Sequence, residues 1–308
     1  MSFLLFYQKK IYSSNLIFEV SSMLNKETFH EMIRQGLHLL DGATGSNLMK
    51  AGMPRGGCTE TWILNNPQPF LDLQRSYVAS GCQILYAPTF QAQPIALEKQ
   101  GLADQTEKLN AQLVALSKSV SGDALVAGDI TTLATFTDSW DSDKFDLLVE
   151  NYQRQIRGLL DGGADLLVAE TLLYPQEAEA ILTAAELEGA DTVMYSFTMQ
   201  ADGSLFSGMD AGPVLQNLEQ LGAAAVGFNC VAADMMTPYL VSKLRRFVKG
   251  PLLCKPNAGV PTIGQDNLPH YPMTPEEFQK ILSDCIAMGA TLVGGCCGTT
   301  PNHLRRMK

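Results

Sequence analysis

Gly289-Ala290-Thr291-Leu292-Val293-Gly294-Gly295-Cys296-Cys297-Gly298-Thr299-Thr300-Pro301 compresses a helix end, a strand, a cysteine pair and a helix start into one stretch. A glycine that follows a helical segment takes the left-handed position that ends the helix. The apolar run after it is short, as a strand buried on both faces should be. Thr300-Pro301 then reads as an N-cap with proline at the first helical position. The same order of glycine, small residue and apolar run recurs upstream. It is found at Gly81-Cys82-Gln83-Ile84-Leu85, Gly163-Ala164-Asp165-Leu166-Leu167, Gly189-Ala190-Asp191-Thr192-Val193 and Gly222-Ala223-Ala224-Ala225-Val226.

Three more short apolar runs, Leu37–Leu40, Ala124–Ala127 and Leu252–Cys254, bring the candidate strands to eight. Between them lie stretches with helical apolar spacing, such as Phe145–Leu160 and Glu276–Met288. Thr274-Pro275-Glu276-Glu277 supplies an N-cap, a proline and a capping-box glutamate. Eight alternating units with no break in composition predict an α/β fold, a single (β/α)8 TIM barrel. A doubly wound sheet is the alternative. A helix over Glu27–Arg34 is placed to cover the bottom of the barrel.

A chain of 308 residues that is 46% hydrophobic can bury one such core. A net charge of -10 and a pI near 4.9 repel phosphate backbones, which argues against a nucleic-acid partner. No apolar stretch reaches the ~18 residues needed to span a bilayer. Seven cysteines, an odd number, do not make a disulfide framework. They fit a reducing compartment, hence a cytoplasmic location. Residues 1–22 read as an N-terminal extension or a mis-called start ahead of Met23, with 23–308 forming the barrel. Lys9 and Lys10 follow the apolar patch Phe3–Tyr7 instead of preceding it, unlike a signal peptide.

A barrel places its active site where the strands end. The first polar residues after the runs are Asp41, Thr89, Asp129, Glu170, Thr198, Cys230, Asn257, Cys296 and Cys297. Alternation puts Val226, Phe228 and Cys230 on one strand face. The glycines around Cys296 and Cys297 let both sulfurs turn to one point. Three thiolates with an open fourth position suit Zn2+ used for chemistry, since a closed structural site needs four protein ligands. Such a centre would bind an incoming thiol and keep it deprotonated. Other readings stay open at this point. Cys230 alone could be a buried small hydrophobe. The cysteine pair could be a redox dithiol or a vicinal disulfide. Asp41 and Glu170, buried at strand ends, need partners, and a substrate ammonium would serve. Equally, Asp41 could cap its own turn and Glu170 could pair with a neighbouring strand. The turn Gly42–Ser46 could take a carboxylate or a phosphate on its backbone N–H groups.

Asp41-Gly42-Ala43-Thr44-Gly45-Ser46, Glu170-Thr171, Gly227-Phe228-Asn229-Cys230, Lys255-Pro256-Asn257-Ala258-Gly259 and Gly294-Gly295-Cys296-Cys297-Gly298-Thr299 together resemble the homocysteine S-methyltransferase family, in its order and over about residues 25–308. The resemblance implies a (β/α)8 barrel in which Cys230, Cys296 and Cys297 bind one zinc ion and homocysteine sulfur becomes the fourth ligand. It implies that Asp41 and Glu170 hold the substrate amino group and that Ala43, Thr44, Gly45 and Ser46 hold its carboxylate. Asn257 matches a position that can fill the open zinc site before substrate arrives; it is also an ordinary turn residue in Pro-Asn-Ala-Gly. Thr59–Pro67 and Tyr86-Ala87-Pro88-Thr89-Phe90 look most like the homocysteine-binding module of cobalamin-dependent methionine synthase. The implied reaction is transfer of a methyl group to zinc-bound homocysteine thiolate, giving methionine. The implied donor is methylcobalamin on a separate corrinoid protein, or else S-methylmethionine or another small sulfonium or ammonium donor. Two further classes remain. A desolvated Lys255 could form a Schiff base, as in an aldolase. A zinc-storing or redox-sensing protein would use the thiols without catalysis. His30, His38, His270 and His303 lack ligand spacing and read as surface or capping residues. The sequence leaves oligomeric state open.

Overall fold

The computed structural model describes residues 23–36, 38–133, 142–265, 267–305 and 307. The extension expected at 1–22 lies outside them. Eight parallel strands form one sheet: β1 (His38–Leu39), β2 (Ile84–Tyr86), β3 (Leu125–Thr131), β4 (Leu166–Leu172), β5 (Val193–Phe197), β6 (Ala225–Ala232), β7 (Leu252–Asn257) and β8 (Leu292–Val293). Each apolar run read from the sequence falls on one of them. Helices follow the strands, among them Pro67–Ala79, Thr106–Lys118, Ser142–Asp161, Pro175–Leu187, Ala211–Gln220, Thr237–Arg245 and Pro275–Ala287. The glycines of the repeat, Gly81, Gly163, Gly189, Gly222 and Gly289, all have left-handed φ, from 74° to 112°. They end the preceding helices as expected. Thr274 closes a full capping box with Glu277, and Thr300 a similar one with His303.

The strand order is β1-β8-β7-β6-β5-β4-β3-β2, so consecutive strands are neighbours throughout and the order never reverses as in a doubly wound sheet. The sheet curls until its two ends meet. There Leu40 bridges Ile84, the Gln83 N–H donates to the Leu39 carbonyl (2.7 Å), and the Asp41 N–H donates to the Ile84 carbonyl (3.0 Å). The expected closed ladder of eight equal strands is reduced at this seam to one bridge. The reason is local: β1 and β8 are two residues long because the chain turns away at Asp41-Gly42 and at Gly294-Gly295.

Alternation along the strands sorts the core into two parts. Leu40, Ile84, Ala127, Leu166, Val168, Met194, Leu253 and Leu292 point inside the curl. Val126, Leu167, Ala169, Tyr195, Val226, Phe228, Cys254 and Val293 point out to the helices. The inner set is closed from below by Phe29 and Ile33 of the helix Lys26–Arg34. Each buried side chain of that size contributes about 1.5–3 kcal/mol. Lys26 donates to the Gly222 carbonyl (3.0 Å), and a His30 ring nitrogen lies 2.7 Å from the Ala224 carbonyl. The bottom is therefore sealed by apolar packing, and polar inner residues collect at the opposite end.

Candidate metal centre and substrate cavity

The thiol site begins with a break in β6. Val226 and Phe228 face the helices, so regular alternation would send Cys230 outward with them. The expected common face of these three residues does not survive. Cys230 has φ 56°, and the β6–β7 register shifts between Asn229 and Ala232. That bulge turns the Cys230 sulfur onto the rim. The cysteine pair is placed by backbone stitching across its neighbours. The Cys296 N–H donates to Pro256 O (2.8 Å), the Gly295 N–H to Asp41 O (3.0 Å), and the Ala258 N–H to Cys297 O (2.9 Å). Gly298, at φ 81°, has no room for a Cβ against the Tyr271 ring.

The result is three sulfurs, of Cys230, Cys296 and Cys297, all within 4.8 Å of one another. Small side-chain rotations would bring each to the ~2.3 Å of a zinc–thiolate bond. The Asn257 side-chain nitrogen lies 3.8 Å from the Cys230 sulfur, and Asn257 Oδ1 is buried without a hydrogen-bond partner. A soft trio of donors beside an orphaned oxygen fits a metal ion. Hydrogen bonds from Cys230 and Cys296, helped by the Tyr271 hydroxyl, pull Cys297 down to about 3. Cys230 is pushed far up by its bonds to the other two sulfurs. All seven cysteines are free thiols, so the vicinal disulfide is not formed.

The same cavity, of about 410 Å³, is also lined by Glu170 and Lys255 of a buried charged cluster. Asp41 Oδ2 accepts the Tyr86 N–H (2.8 Å), and Oδ1 accepts from Lys255 Nζ (3.0 Å). That ammonium also sits 3.5 Å from the centre of the Tyr86 ring and 3.9 Å from Glu170 Oε2. Burial works against the Lys255 charge, but Asp41, Tyr86 and Glu170 outweigh it and hold the amine protonated. A protonated amine is a poor Schiff-base nucleophile, which removes the physical basis of the aldolase alternative. Burial raises Asp41 although Lys255 draws it down. Burial carries Glu170 up to about 8 against the same lysine. Asp129 is pushed well up by burial and then by the Glu170 charge.

Asn229 joins the two sides. Its Oδ1 accepts the Thr171 N–H (2.8 Å) and the Ser196 hydroxyl (3.0 Å). Its Nδ2 donates to Thr171 Oγ1 (2.7 Å) and Glu170 Oε2 (3.2 Å), and lies 3.9 Å from the Cys296 sulfur. Thr171, like Cys230, has a left-handed φ, 59°.

Ala43, Thr44, Gly45 and Ser46 line the cavity, with the first turn of the helix Gly45–Lys50 beside it. The Ala43 N–H is already used by Thr299 Oγ1 (3.1 Å), and Ser46 Oγ accepts the Gly298 N–H (3.2 Å). Thr59, Glu60, Phe90 and Gln91 also line the cavity. Reading the sequence assigned no role to Tyr86, Asp129, Asn229 or Tyr271. Asp129 and Asn229 stood in the quoted strand ends; Tyr271 arrives on a long loop that no local pattern marks.

A family profile described as homocysteine S-methyltransferase matches residues 38–308. The chain is 29% identical over 301 residues to a methionine synthase of Mycobacterium tuberculosis and 28% identical to that of Mycobacterium leprae. These alignments cover 90% of this chain but only 25% and 24% of those proteins. The chain thus spans about a quarter of the length of the curated relatives it matches. Among solved structures, the metallated form of the homocysteine methyltransferase MmuM from Escherichia coli superposes with a TM-score of 0.75 at 26% identity, over 89% of this chain and 96% of that one. The carboxyl transferase domain of Rhizobium etli pyruvate carboxylase, at 12% identity and a TM-score of 0.50, shares the fold alone.

Proposed function

Since the chain belongs to the homocysteine S-methyltransferase family, we propose that it methylates homocysteine to methionine at the cavity between the three cysteines and the buried carboxylates. The observation that carries this reading is the single cavity lined by Cys230, Cys296, Cys297 and Glu170. Cys230, Cys296 and Cys297 would hold one zinc ion, which when bound lowers the pKa of a substrate thiol. The carboxylate cluster takes the amino group of the substrate. The turn Thr44–Ser46 takes its carboxylate, and Asn257 stands beside the thiol site. The sulfur gives up its proton and forms a bond to the methyl carbon, while the bond to the donor breaks with its electron pair leaving on the donor. Enclosure by β-strand ends aligns the two and excludes water.

The donor in this reading is methylcobalamin carried by a corrinoid protein. Exposed apolar side chains on the loops and helix after β5, β6 and β7, namely Phe206, Met235, Tyr239 and Ile263, offer that carrier a surface. The second donor in this reading is a small sulfonium such as S-methylmethionine, entering the cavity directly. In this reading residues 23–308 act as one unit, closed as a (β/α)8 barrel and working in the cytoplasm. No helix among the described residues is long and apolar enough to cross a membrane.

The test is a donor panel with zinc-loaded protein and homocysteine: methylcobalamin, S-methylmethionine, S-adenosylmethionine and betaine. Methionine formed fastest from methylcobalamin is the expected result. A faster S-methylmethionine arm overturns the donor and keeps the acceptor. No methionine in any arm overturns the reading.

A further inference from the structure

The Asp41 carboxylate is not open to a substrate ammonium. One oxygen is taken by the Tyr86 N–H and the other by Lys255, in a pair whose side chains are 1% and 4% exposed. The Lys255 ammonium, sandwiched between Asp41 and the Tyr86 ring, already stands where an amino group would pair with Asp41. What remains open is Asp129. It is 5% exposed, lines the cavity, and its Oδ1 is buried with no hydrogen-bond partner. Its backbone is clamped, with the N–H donating to Thr89 Oγ1 (3.0 Å) and the carbonyl accepting from the Thr89 hydroxyl (2.8 Å) and Gln155 (3.2 Å). The side chain is thus aimed by a rigid strand. Asp129 lies opposite Val168 in the β3–β4 register, so Asp129 and Glu170 share the inner face, one step apart. Three buried carboxylates, Asp41, Asp129 and Glu170, face one lysine. Burial without a partner disfavours the ionised form of Asp129, and a cation delivered between Asp129 and Glu170 favours it.

We propose that Asp129, together with Glu170, receives the ammonium group of the amino-acid thiol, and that Lys255 withdraws Asp41 from that role. This rests on the homocysteine reading above. It makes Asp129 a specificity residue: thiols that carry an α-ammonium are held by it, and thiols without one are not. Asp41 becomes a positioning group that fixes Lys255 and the seam between β1 and β2.

The experiment uses the full chain loaded with Co2+, whose absorption reports an incoming sulfur. Homocysteine and its desamino analogue 4-mercaptobutanoate are titrated into wild type, Asp129→Asn and Asp41→Asn. Wild type should bind homocysteine more tightly. Asp129→Asn should weaken homocysteine at least ~10-fold, the loss of one buried charge-assisted contact, and leave the analogue unchanged. Because Asp129 is unpartnered without substrate, Asp129→Asn should also melt no lower than wild type in the absence of thiol, a result a structural role would not give. An amine-dependent loss in Asp41→Asn with none in Asp129→Asn overturns the proposal. So does a lowered melting temperature with equal weakening of both thiols. If neither thiol alters the wild-type spectrum, the homocysteine reading itself falls, which separates that failure from the others.

Discussion

The two walls of the cavity are both made of acidic groups, but they are built in opposite ways. The sulfur wall is local in part: Cys296 and Cys297 are adjacent, and a bulged backbone turns Cys230 to them from another strand. The carboxylate wall is long-range: its central ion pair joins residues 214 apart in sequence, and the fold has already supplied one cation in Lys255. The difference teaches how one pocket can sort the two ends of a small molecule. Soft thiolates select a metal and through it a sulfur, whereas hard, partly neutralised carboxylates select an ammonium.

The largest expected effect comes from breaking the sulfur wall. Cys297→Ala should bring bound zinc, read by elemental analysis, and methylation both to background, with the fold retained by circular dichroism. A zinc-replete, active Cys297→Ala protein would sink the idea that this wall is a metal centre. Breaking the other wall should act on the fold first. Lys255→Met strands the Asp41 carboxylate in the interior, and losing one partner of a buried pair costs about 3–5 kcal/mol. Urea unfolding should show that loss, and Asp41→Asn/Lys255→Met should recover most of it. A change below about 1 kcal/mol in the single variant would mean that Asp41 is relieved in some other way and that the walls do not differ as described.

The contrast also explains what the sequence could tell. The eight strand runs and the five glycines were legible because each is a local pattern with a local cause, a helix end followed by a buried strand. The thiol trio was legible because each cysteine closes such a run. The face of Cys230 was misread because period-two alternation assumes a regular strand, and the left-handed residue at that position breaks it. Asp41 and Glu170 were read as buried strand-end carboxylates, which they are, but the partner of Asp41 was not foreseen. Lys255 looked like a possible nucleophile until the curl of the sheet put β7 across from the end of β1 and made it a counter-ion. Tyr271, which reaches Cys297 from the loop beyond β7, had no signal at all.

The smallest effect expected here probes the link between the walls. Asn229 is fully buried and uses both ends of its amide: the oxygen fixes Thr171 and Ser196, and the nitrogen points to Glu170 and toward Cys296. Asn229→Asp keeps the acceptor and removes the donor, so the strained turn at Thr171 stays satisfied. What changes is that Glu170 loses a hydrogen bond and gains a like charge, and the Cys296 sulfur loses its nearest amide. Outer partners of this kind are worth roughly 10–100-fold in metal affinity or activity. The variant should raise KM for homocysteine within that range and should also release zinc faster to a chelator, while Asn229→Ala, which abandons the Thr171 N–H as well, should lose stability in addition. If only one of the two readouts moves in Asn229→Asp, the walls are independent, and the amide serves the side that responded.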